Sequence, residues 1–452
     1  MTLGGKNVTV VGLGRTGLAL IRMLKACGAR PRVTEARPAS EVAQALAELD
    51  ALGVPCETGG HTPDAFANAD CIVPSPGAPL DLPVIGEAAA RGVLVQSEVE
   101  TAFPLCRSRI LAVTGTNGKT TATEALRALI EGCGETVDLA GNNARPFSEA
   151  VLAEPPPRYM VLEISSYQLE AIHRFRPWVG AVLNVTPDHL ARHRTIDAYA
   201  GVKARMFAYQ TADDIAVLNA DDPRVEAMAS HCPGEVWRIA LDRPVERGVW
   251  TEGTRIRSHD GFEARTSDAA VPGRHNLVNV LAALAMVRAA GFPWDASIEA
   301  LRGFRGVEHR IEHVASHDGV DFYNDSKATN IDSLRVALAS FDRPIVLIAG
   351  GQGKGASYDE LRGDVARRVK HLVTLGEDAP AIEAAFADAV PVVERAEDMA
   401  GAVQRAAHAA RPGDVVLLSP ACASFDMFVD FEHRGRVFKA CVNEWLGEAA
   451  ST

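Results

Sequence analysis

Short runs of β-branched residues alternate along the chain with glycine-rich turns and with longer amphipathic stretches rich in alanine and leucine. Such alternation predicts parallel β-sheets covered by helices. The pattern occurs once in each third of the chain: Asn7–Val11 before Gly12–Gly17, Arg109–Val113 before Gly115–Thr121, and Pro344–Ile348 before Ala349–Gly355. The sequence therefore predicts an α/β protein built from three strand–turn–helix units.

Chain length and turn positions predict three domains. The chain has 452 residues, and domains of about 150 residues are typical. Turn-rich segments place the predicted domains at residues 1–98, 99–305 and 306–452. Within the middle domain, the polar stretch Arg243–Ala270 contains strand-like fragments such as Gly248–Thr251. This stretch predicts a small antiparallel excursion from the main sheet.

Composition and charge exclude several classes of partner. The net charge is −12 and the isoelectric point is about 5.6, so a basic footprint for nucleic acid or an anionic membrane is missing. No apolar stretch is long enough to span a bilayer, and Met1 leads almost directly into the apolar run Val8–Val11 without a charged leader. The eight cysteines contain no Cys-x-x-Cys pair. We therefore expect a cytoplasmic protein with free thiols and without nucleic-acid or membrane partners.

The middle glycine loop, Thr114–Thr121, carries the strongest chemical signal. Small residues let backbone N–H groups surround phosphate oxygens, and the following helix adds its positive end. Lys119 supplies a point charge to the terminal phosphates, and the Thr120 hydroxyl is placed to bind magnesium. Val113 replaces the first glycine of the strict P-loop pattern, and an ordinary turn with an incidental lysine is the alternative. The loop predicts a bound triphosphate.

The other two glycine loops are less specific. Gly12–Gly17 fits a dinucleotide fingerprint, with Glu35 about 20 residues further on as a candidate ribose ligand. By itself it supports a nicotinamide or flavin cofactor, a nucleotide diphosphate or a tight turn. The third loop, Ala349–Gly355, could bind an anion through its amides and Lys354, or could be a flexible turn. Both interpretations of that loop stay open.

Several motifs follow one another in a fixed order along the chain. They are Gly115–Thr121, Glu163–Leu169, Asn184–Leu190, Gly273–Asn276 with Asn279, His309-Arg310, Asn324–Asn330 and Leu418–Asp426. In this order, and over essentially the whole chain, they resemble the Mur ligase superfamily. One segment departs from the family pattern, because Gly141-Asn142 is followed by Asn143-Ala144 instead of an apolar residue and glycine.

The resemblance implies a fold and a reaction. The fold is a Rossmann-like N-terminal domain, a central P-loop ATPase-type domain with a parallel sheet, and a Rossmann-like C-terminal domain. The reaction is ATP-dependent amide ligation through an acyl phosphate, with release of ADP and phosphate. The motifs are most similar to those of the branch that adds D-glutamate to UDP-N-acetylmuramoyl-L-alanine in peptidoglycan precursor synthesis. Two Mg²⁺ ions, small-molecule substrates and a monomer are also expected, whereas the residues themselves leave the handedness of the glutamate open.

The resemblance also implies roles for individual residues. The implied catalytic residues are Lys119, Glu163, His189 and Lys203. The implied magnesium ligands are Thr120, Glu163, His189 and Lys203, the last as a carbamate. The implied ATP contacts are Gly115, Thr116, Asn117, Gly118, Lys119, Thr120, Thr121, Asn276, Asn279, Arg310 and Asp325. The implied contacts with the UDP-linked precursor are Leu13, Arg15, Thr16, Glu35, Arg37, Ser75, Gly77 and Asn142. The implied amino-acid site is Lys327, Thr329, Lys354, Ser424 and Phe431.

Three other functions remain open at this point. Another member of the superfamily could add a different amino acid, or could act as a folylpolyglutamate synthase. A nicotinamide oxidoreductase could be built on the first glycine loop, although no hydride-acceptor site accompanies that loop. A nucleotide-binding scaffold without activity is the third alternative, but the expected phosphate and metal ligands are present in the sequence.

Overall fold

The chain folds into three β-sheets covered by helices, which confirms the predicted α/β class. The computed structural model describes residues 3–143, 145–269, 271–353 and 355–449. Alternating strands and helices arise because the buried strands are short and continuously apolar, whereas the intervening helices bury only one face.

The first sheet has five parallel strands in the order β3-β2-β1-β4-β5. Its strands are β1 Asn7–Val11, β2 Arg30–Glu35, β3 Cys56–Thr58, β4 Cys71–Pro74 and β5 Leu94–Val95. Its helices are α1 Arg15–Ala26, α2 Ala43–Leu52, α3 Pro83–Ala90 and α4 Glu98–Ala102. The strand order reverses between β1 and β4, so a crevice forms at the carboxyl ends of these two strands. The first glycine loop follows β1 and therefore lies at this crevice.

The second sheet has nine strands in the order β14-β13-β12-β11-β10-β9-β6-β8-β7. They are β6 Arg109–Thr114, β7 Val137–Gly141, β8 Tyr159–Glu163, β9 Val179–Val182, β10 Ile215–Asn219, β11 Glu235–Ala240, β12 Gly248–Glu252, β13 Arg255–Ser258 and β14 Glu263–Arg265. Strands β6 to β12 of this sheet pair in parallel, and β12, β13 and β14 pair antiparallel. The antiparallel strands confirm the predicted excursion.

The helices of this region alternate with the strands of the second sheet and then follow it. They are α5 Lys119–Gly132, α6 Phe147–Ala150, α7 Ser166–Leu169, α8 Leu190–His193, α9 Ile196–Ala204, α10 Pro223–Glu226, α11 Arg274–Ala289 and α12 Trp294–Gly303. Because β6 lies between β8 and β9, the loops after all three strands share one edge of the sheet. The glycine loop after β6 and Glu163 at the end of β8 therefore become neighbours.

The third sheet has six strands in the order β15-β16-β20-β17-β18-β19, and only β15 is antiparallel to its neighbour within this described sheet. Its strands are β15 Glu312–His317, β16 Val320–Asn324, β17 Ile345–Gly350, β18 Val369–Leu375, β19 Val393–Arg395 and β20 Val415–Leu418. Its helices are α13 Ile331–Ala339, α14 Arg362–Arg368, α15 Ala379–Phe386, α16 Met399–Ala409 and α17 Phe431–Ala449. The loops after β16, β17 and β20 meet at one edge.

Two compact units contain these sheets. One unit comprises residues 1–268 and 278–301 with the first and second sheets, and the other comprises residues 269–277 and 302–452 with the third sheet. In the first unit, buried side chains of both sheets, such as Val10 and Leu162, belong to one hydrophobic core. The predicted domain ends at residues 98 and 305 stay predictions. Over the described ranges, no helix is both long and apolar enough to cross a membrane.

Candidate functional site

The glycine loop after β6 has a conformation that its neighbours hold in place. Gly118 is left-handed, with a φ of 84°, and a Cβ there would overlap the side-chain amide of Asn279. Asn184, which follows β9, accepts a hydrogen bond from the Asn117 N–H at 2.8 Å and donates one to the Asn117 carbonyl at 3.1 Å. Helix α5 begins directly after the loop, at Lys119. The arrangement provides backbone donors and a helix N-terminus for an anionic ligand.

Two lysines converge on one carbonyl of this loop. Lys119 Nζ donates to Gly115 O and Thr116 O, both at 2.9 Å, and Lys203 Nζ donates to Gly115 O at 2.8 Å. Lys203 is 1% exposed, and its Nζ lies 4.5 Å from the centre of the Tyr199 ring. Burial and then the charge of Lys119 lower the pKa of Lys203 to about 7. A substantial fraction of this amine is therefore neutral at physiological pH.

The buried carboxylate of Glu163 is the best candidate metal ligand at this edge. Its Oε1 accepts a hydrogen bond from Asn142 Nδ2 at 3.0 Å. Its Oε2 is buried and has no hydrogen-bond partner among the described residues. A buried carboxylate oxygen without a partner is costly unless a cation or donor binds it. A hard divalent cation such as Mg²⁺ fits this oxygen.

Thr120 and His189 lie near the same edge but have different surroundings. The Thr120 hydroxyl accepts a hydrogen bond from Asn143 Nδ2 at 2.6 Å. Asn143 belongs to the segment in which the sequence departs from the family pattern, and Ala144 lies outside the described residues. His189 adopts a left-handed backbone, and its ring centre lies 5.0 Å from that of Tyr167. The side chain of His189 remains partly exposed and can reach a ligand.

The two asparagines at the start of α11 have separate local contacts. Asn279 packs against Gly118 of the glycine loop. Asn276 donates from Nδ2 to the carbonyl of Pro272 at 2.8 Å. Asn279 therefore lies beside the glycine loop that follows β6. The predicted contacts of Asn276 and Asn279 with ATP stay predictions.

Replacing Gly118 by alanine should weaken ATP binding by at least about tenfold. Alanine at a left-handed position costs roughly 1–2 kcal/mol, and the added methyl group would also displace Asn279 from the loop. The measurement is the KM for ATP of the Gly118→Ala variant. Gly134→Ala is a matched control, because Gly134 is also left-handed but has open space around its Cβ position. An unchanged KM for ATP in the Gly118 variant would contradict the prediction.

The candidate UDP site lies around the first glycine loop. Glu35 Oε2 accepts a hydrogen bond from the Leu13 N–H at 2.6 Å, and its Oε1 accepts from the Arg37 N–H at 2.9 Å. The guanidinium of Arg37 also binds this carboxylate, and that hydrogen bond is the main cause that lowers the pKa of Glu35 to about 2. Ser75 Oγ donates to Gly12 O at 3.1 Å, which joins the loops after β1 and β4. Leu13, Glu35, Arg37 and Ser75 are thus brought together.

Three more predicted UDP-site residues lie at the edges of this region, whereas Asn142 follows β7 of the second sheet and lies beside Glu163. Arg15 and Thr16 begin α1, and Gly77 is exposed in the turn after β4. Next to this turn, a narrow cavity of about 10 Å³ is lined by residues from the regions of both sheets, including Ser75, Gln168 and Arg192. Arg192 donates to Ala78 O at 2.9 Å and forms an ion pair with Glu170.

In the second compact unit, Asp325 is buried and Arg310 is half-buried, and the charge of Arg310 acts on the Asp325 carboxyl group. Asp325 Oδ2 accepts a hydrogen bond from Ser419 Oγ at 2.8 Å, and its Oδ1 accepts from the Ile311 N–H at 3.2 Å. Burial raises the pKa of Asp325 to about 7, although the Ser419 bond and the charge of Arg310 oppose the shift. The Nε of Arg310 is buried without a hydrogen-bond partner in the part of the chain that the structure describes. Both groups can serve a polar ligand.

The predicted amino-acid residues lie on the loops after β16 and β20 and at the start of α17. Lys327 Nζ lies 5.5 Å from the centre of the Phe431 ring. Thr329 follows on the same loop, and its N–H donates to Lys327 O at 2.9 Å. Ser424 is 2% exposed after β20. Lys354 lies outside the described residues, so its predicted role is not addressed by the structure.

Two asparagines without a role assigned from the sequence contact the glycine loop after β6. Asn184 was part of a recognised motif, and its position directly beyond a strand that neighbours β6 was the available signal. Nothing in the sequence predicted the contact of Asn143 with Thr120, because Asn143 was noted only as a departure from the Mur ligase pattern. Both contacts join residues that are more than 20 positions apart, so sequence spacing could not reveal them.

Comparison with protein families finds three models in order along the chain. The Mur ligase MurD-like N-terminal domain matches residues 6–97, the Mur ligase middle domain matches residues 113–287, and the Mur ligase glutamate ligase domain matches residues 309–422.

Similar curated proteins align from end to end. A protein of Anaeromyxobacter dehalogenans is 45% identical over 98% of this chain and 98% of its own length. A protein of Acidobacterium capsulatum is 41% identical over 100% of this chain and 99% of its own length. Both relatives carry the name UDP-N-acetylmuramoylalanine–D-glutamate ligase.

Solved structures with the same fold have low sequence identity. The UDP-N-acetylmuramate-alanine ligase MurC of Thermotoga maritima aligns with a TM-score of 0.56 at 18% identity, covering 98% of this chain and 100% of that one. The MurF ligase of Thermotoga maritima in complex with ADP aligns with a TM-score of 0.57 at 16% identity, covering 98% and 96%. These likenesses show the three-sheet fold.

Proposed function

This chain belongs to the Mur ligase family, and we propose that it adds D-glutamate to UDP-N-acetylmuramoyl-L-alanine at the expense of ATP. The observation that carries the proposal is full-length identity of 45% and 41% to relatives that bear this activity as their name. The products are the amide, ADP and phosphate. The chemistry at the edge of the second sheet supports the ATP-dependent half of this reaction.

The proposed reaction has two steps. The carboxylate of the alanyl residue attacks the γ-phosphorus of ATP, the bond to the β-phosphate oxygen breaks, and ADP leaves. The amine of D-glutamate then attacks the carbonyl carbon of the acyl phosphate, and phosphate leaves as the amide forms. Both steps gather negative charge on phosphate oxygens, so positioned cationic donors lower the barrier.

The glycine loop of the second sheet is the proposed triphosphate site. Its contacts comprise Gly115, Thr116, Asn117, Gly118, Lys119, Thr120 and Thr121. The helix N-terminus attracts anions, and Lys119 would exchange its present hydrogen bonds to Gly115 O and Thr116 O for the phosphates. Asn276, Asn279, Arg310 and Asp325 are proposed as the remaining ATP contacts.

Two Mg²⁺ ions would be held by Thr120, Glu163, His189 and a carbamate on Lys203, with His189 at the second ion. The partnerless Oε2 of Glu163 supports this assignment. Bound Mg²⁺ supplies positive charge to the phosphate oxygens. Carbamylation needs a neutral amine, and burial beside Lys119 lowers the pKa of Lys203 to about 7. The neutral amine of Lys203 would add to CO₂ and release a proton, which would place a carbamate anion beside the cation of Lys119.

The other two substrates would bind at the remaining sites. The UDP-linked precursor is assigned to Leu13, Arg15, Thr16, Glu35, Arg37, Ser75, Gly77 and Asn142. Because Glu35 already accepts from Leu13 and Arg37, it orders the loop in addition to any contact with ribose. D-Glutamate is assigned to Lys327, Thr329, Lys354, Ser424 and Phe431. A monomer in the cytoplasm, where ATP is available, completes the proposal.

Phosphate release with the purified protein tests the proposed reaction. Release should require ATP, Mg²⁺, UDP-N-acetylmuramoyl-L-alanine and D-glutamate together, and kcat/KM for D-glutamate should exceed those for L-glutamate, D-aspartate and L-lysine by at least about 100-fold, or roughly 2.7 kcal/mol. A folate substrate with L-glutamate serves as the parallel arm. Activity with folate and none with the UDP-linked precursor would overturn the proposal in favour of a folylpolyglutamate synthase.

A further inference from the structure

Arg434 is a buried cation that the proposed reaction does not use. It lies in the first turns of α17 and is 1% exposed. Across the described ranges, no carboxylate lies within ion-pair distance of its guanidinium, and burial lowers the pKa of Arg434 to about 10. A buried charge without an ion-pair partner is costly and persists where its hydrogen bonds serve a purpose.

The hydrogen bonds of Arg434 join two loops. Its Nε donates to Ser326 Oγ at 3.0 Å, and its Nη2 donates to Ser326 O at 2.8 Å, on the loop after β16. The same Nη2 donates to Cys422 O at 3.1 Å, and Nη1 donates to Ala423 O at 3.2 Å, on the loop after β20. The planar guanidinium thus sets the spacing between the two loops.

These contacts lie directly beside residues of the proposed amino-acid site. Lys327 follows Ser326 in the chain, and Ser424 follows Ala423. Ser326 Oγ also donates to Phe431 O at 2.8 Å, so the first residue of α17 is tied to the same group.

The loop after β17 joins this arrangement through Ala423. Gln352 and Ala423 exchange backbone hydrogen bonds, both at 2.9 Å. A Cβ at Gly351 would overlap Ala423 O and lie 3.1 Å from Arg434 Nη1, so the backbone of this loop packs against the guanidinium. Three loops at one edge of the third sheet therefore share Arg434 as a common support.

We propose that Arg434 is a positioning residue for the incoming amino acid, because its guanidinium fixes the distance between Lys327 and Ser424. The inference rests on the proposed function of these loops. A lysine would retain the charge but would donate from a single nitrogen, so it could not span Ser326, Cys422 and Ala423 at once. The three donor nitrogens of the planar guanidinium are therefore required in addition to the positive charge.

Steady-state kinetics of Arg434→Lys test this role. The KM for D-glutamate should rise at least tenfold, whereas the KM values for ATP and for the UDP-linked precursor should stay within twofold. Arg436→Lys is the matched control, because Arg436 is exposed on the same helix, and its kinetics should be unchanged. An unchanged KM for D-glutamate in folded Arg434→Lys would overturn the proposal, as would an equal rise in all three KM values.

Ser326→Ala provides a second, milder test if Arg434→Lys does not fold. This change removes the hydroxyl that joins Arg434 to Phe431 and leaves the three carbonyl contacts intact. The KM for D-glutamate should rise at least threefold, and an unchanged KM would reject the proposal. If the wild-type protein released no phosphate with any of the tested amino acids, the proposed function itself would be wrong. The two failures are therefore distinguishable.

Discussion

Replacing Lys203 by alanine should lower kcat by roughly 10³-fold, or about 4 kcal/mol in the activation barrier. Among the described residues, two amines donate to Gly115 O, those of Lys119 and Lys203, and the change removes the second. In the proposed site, this amine becomes a carbamate that binds a magnesium ion and offsets the charge of Lys119. Without the carbamate, the proposed site would hold this magnesium ion less well. The negative charge that develops on the phosphate oxygens in the transition state would then be less stabilised.

Short carboxylates should restore part of the activity of Lys203→Ala. The deletion opens space beside Gly115 O, into which acetate or formate can place a carboxylate where the carbamate would lie. The measurement is phosphate release at increasing acetate concentration, with an equal concentration of chloride as the ionic-strength control. Lys203→Arg is the matched variant, because it keeps a cation, cannot form a stable carbamate and fills the space. Unaltered activity of the alanine variant would contradict a catalytic role for Lys203.

Replacing Glu163 by glutamine should lower kcat by roughly 10²–10³-fold, or about 3–4 kcal/mol, and should raise the Mg²⁺ concentration for half-maximal activity at least tenfold. Glutamine has nearly the same shape and can still accept a hydrogen bond from Asn142 through Oε1. The change therefore isolates the negative charge at Oε2, the buried oxygen proposed to bind the cation.

A Mg²⁺ titration of phosphate release measures this effect, and calorimetry of ATP binding with and without Mg²⁺ measures it independently of turnover. Glu131→Gln is the control, because Glu131 is exposed near the far end of α5 and pairs with Arg127. Its Mg²⁺ dependence should equal that of the wild type. If Glu163→Gln kept the wild-type Mg²⁺ dependence, the proposed metal ligand would be wrong.

The order of local elements was predictable because it depends on short-range patterns. The predicted first strand, Asn7–Val11, coincides with β1, and the strand before the middle loop extends one residue further, to Thr114. The third predicted strand begins one residue later and continues to Gly350. Continuous apolar runs and glycine turns encode these features locally, so no knowledge of the sheet order was needed.

The surroundings of the candidate site residues were not predictable from the same patterns. Glu35 was read as a ribose ligand, yet its carboxylate also holds the Leu13 amide and the Arg37 side chain. Arg434 was not predicted as a site residue, because an arginine near the start of a helix is usually exposed to solvent. Its buried contacts depend on how the loops after β16, β17 and β20 pack together.

The sequence by itself determined the α/β class, the position of the middle glycine loop and, through its motifs, the family. These properties reside in residues that are close along the chain. The tertiary structure decided that Glu163 lies beside the glycine loop, because β8 pairs with β6, and that Lys203 is buried against Gly115, which is 88 residues away. Strand order and burial depend on how distant segments pack, and this packing shifts the pKa of Lys203 and leaves Glu163 Oε2 without a partner.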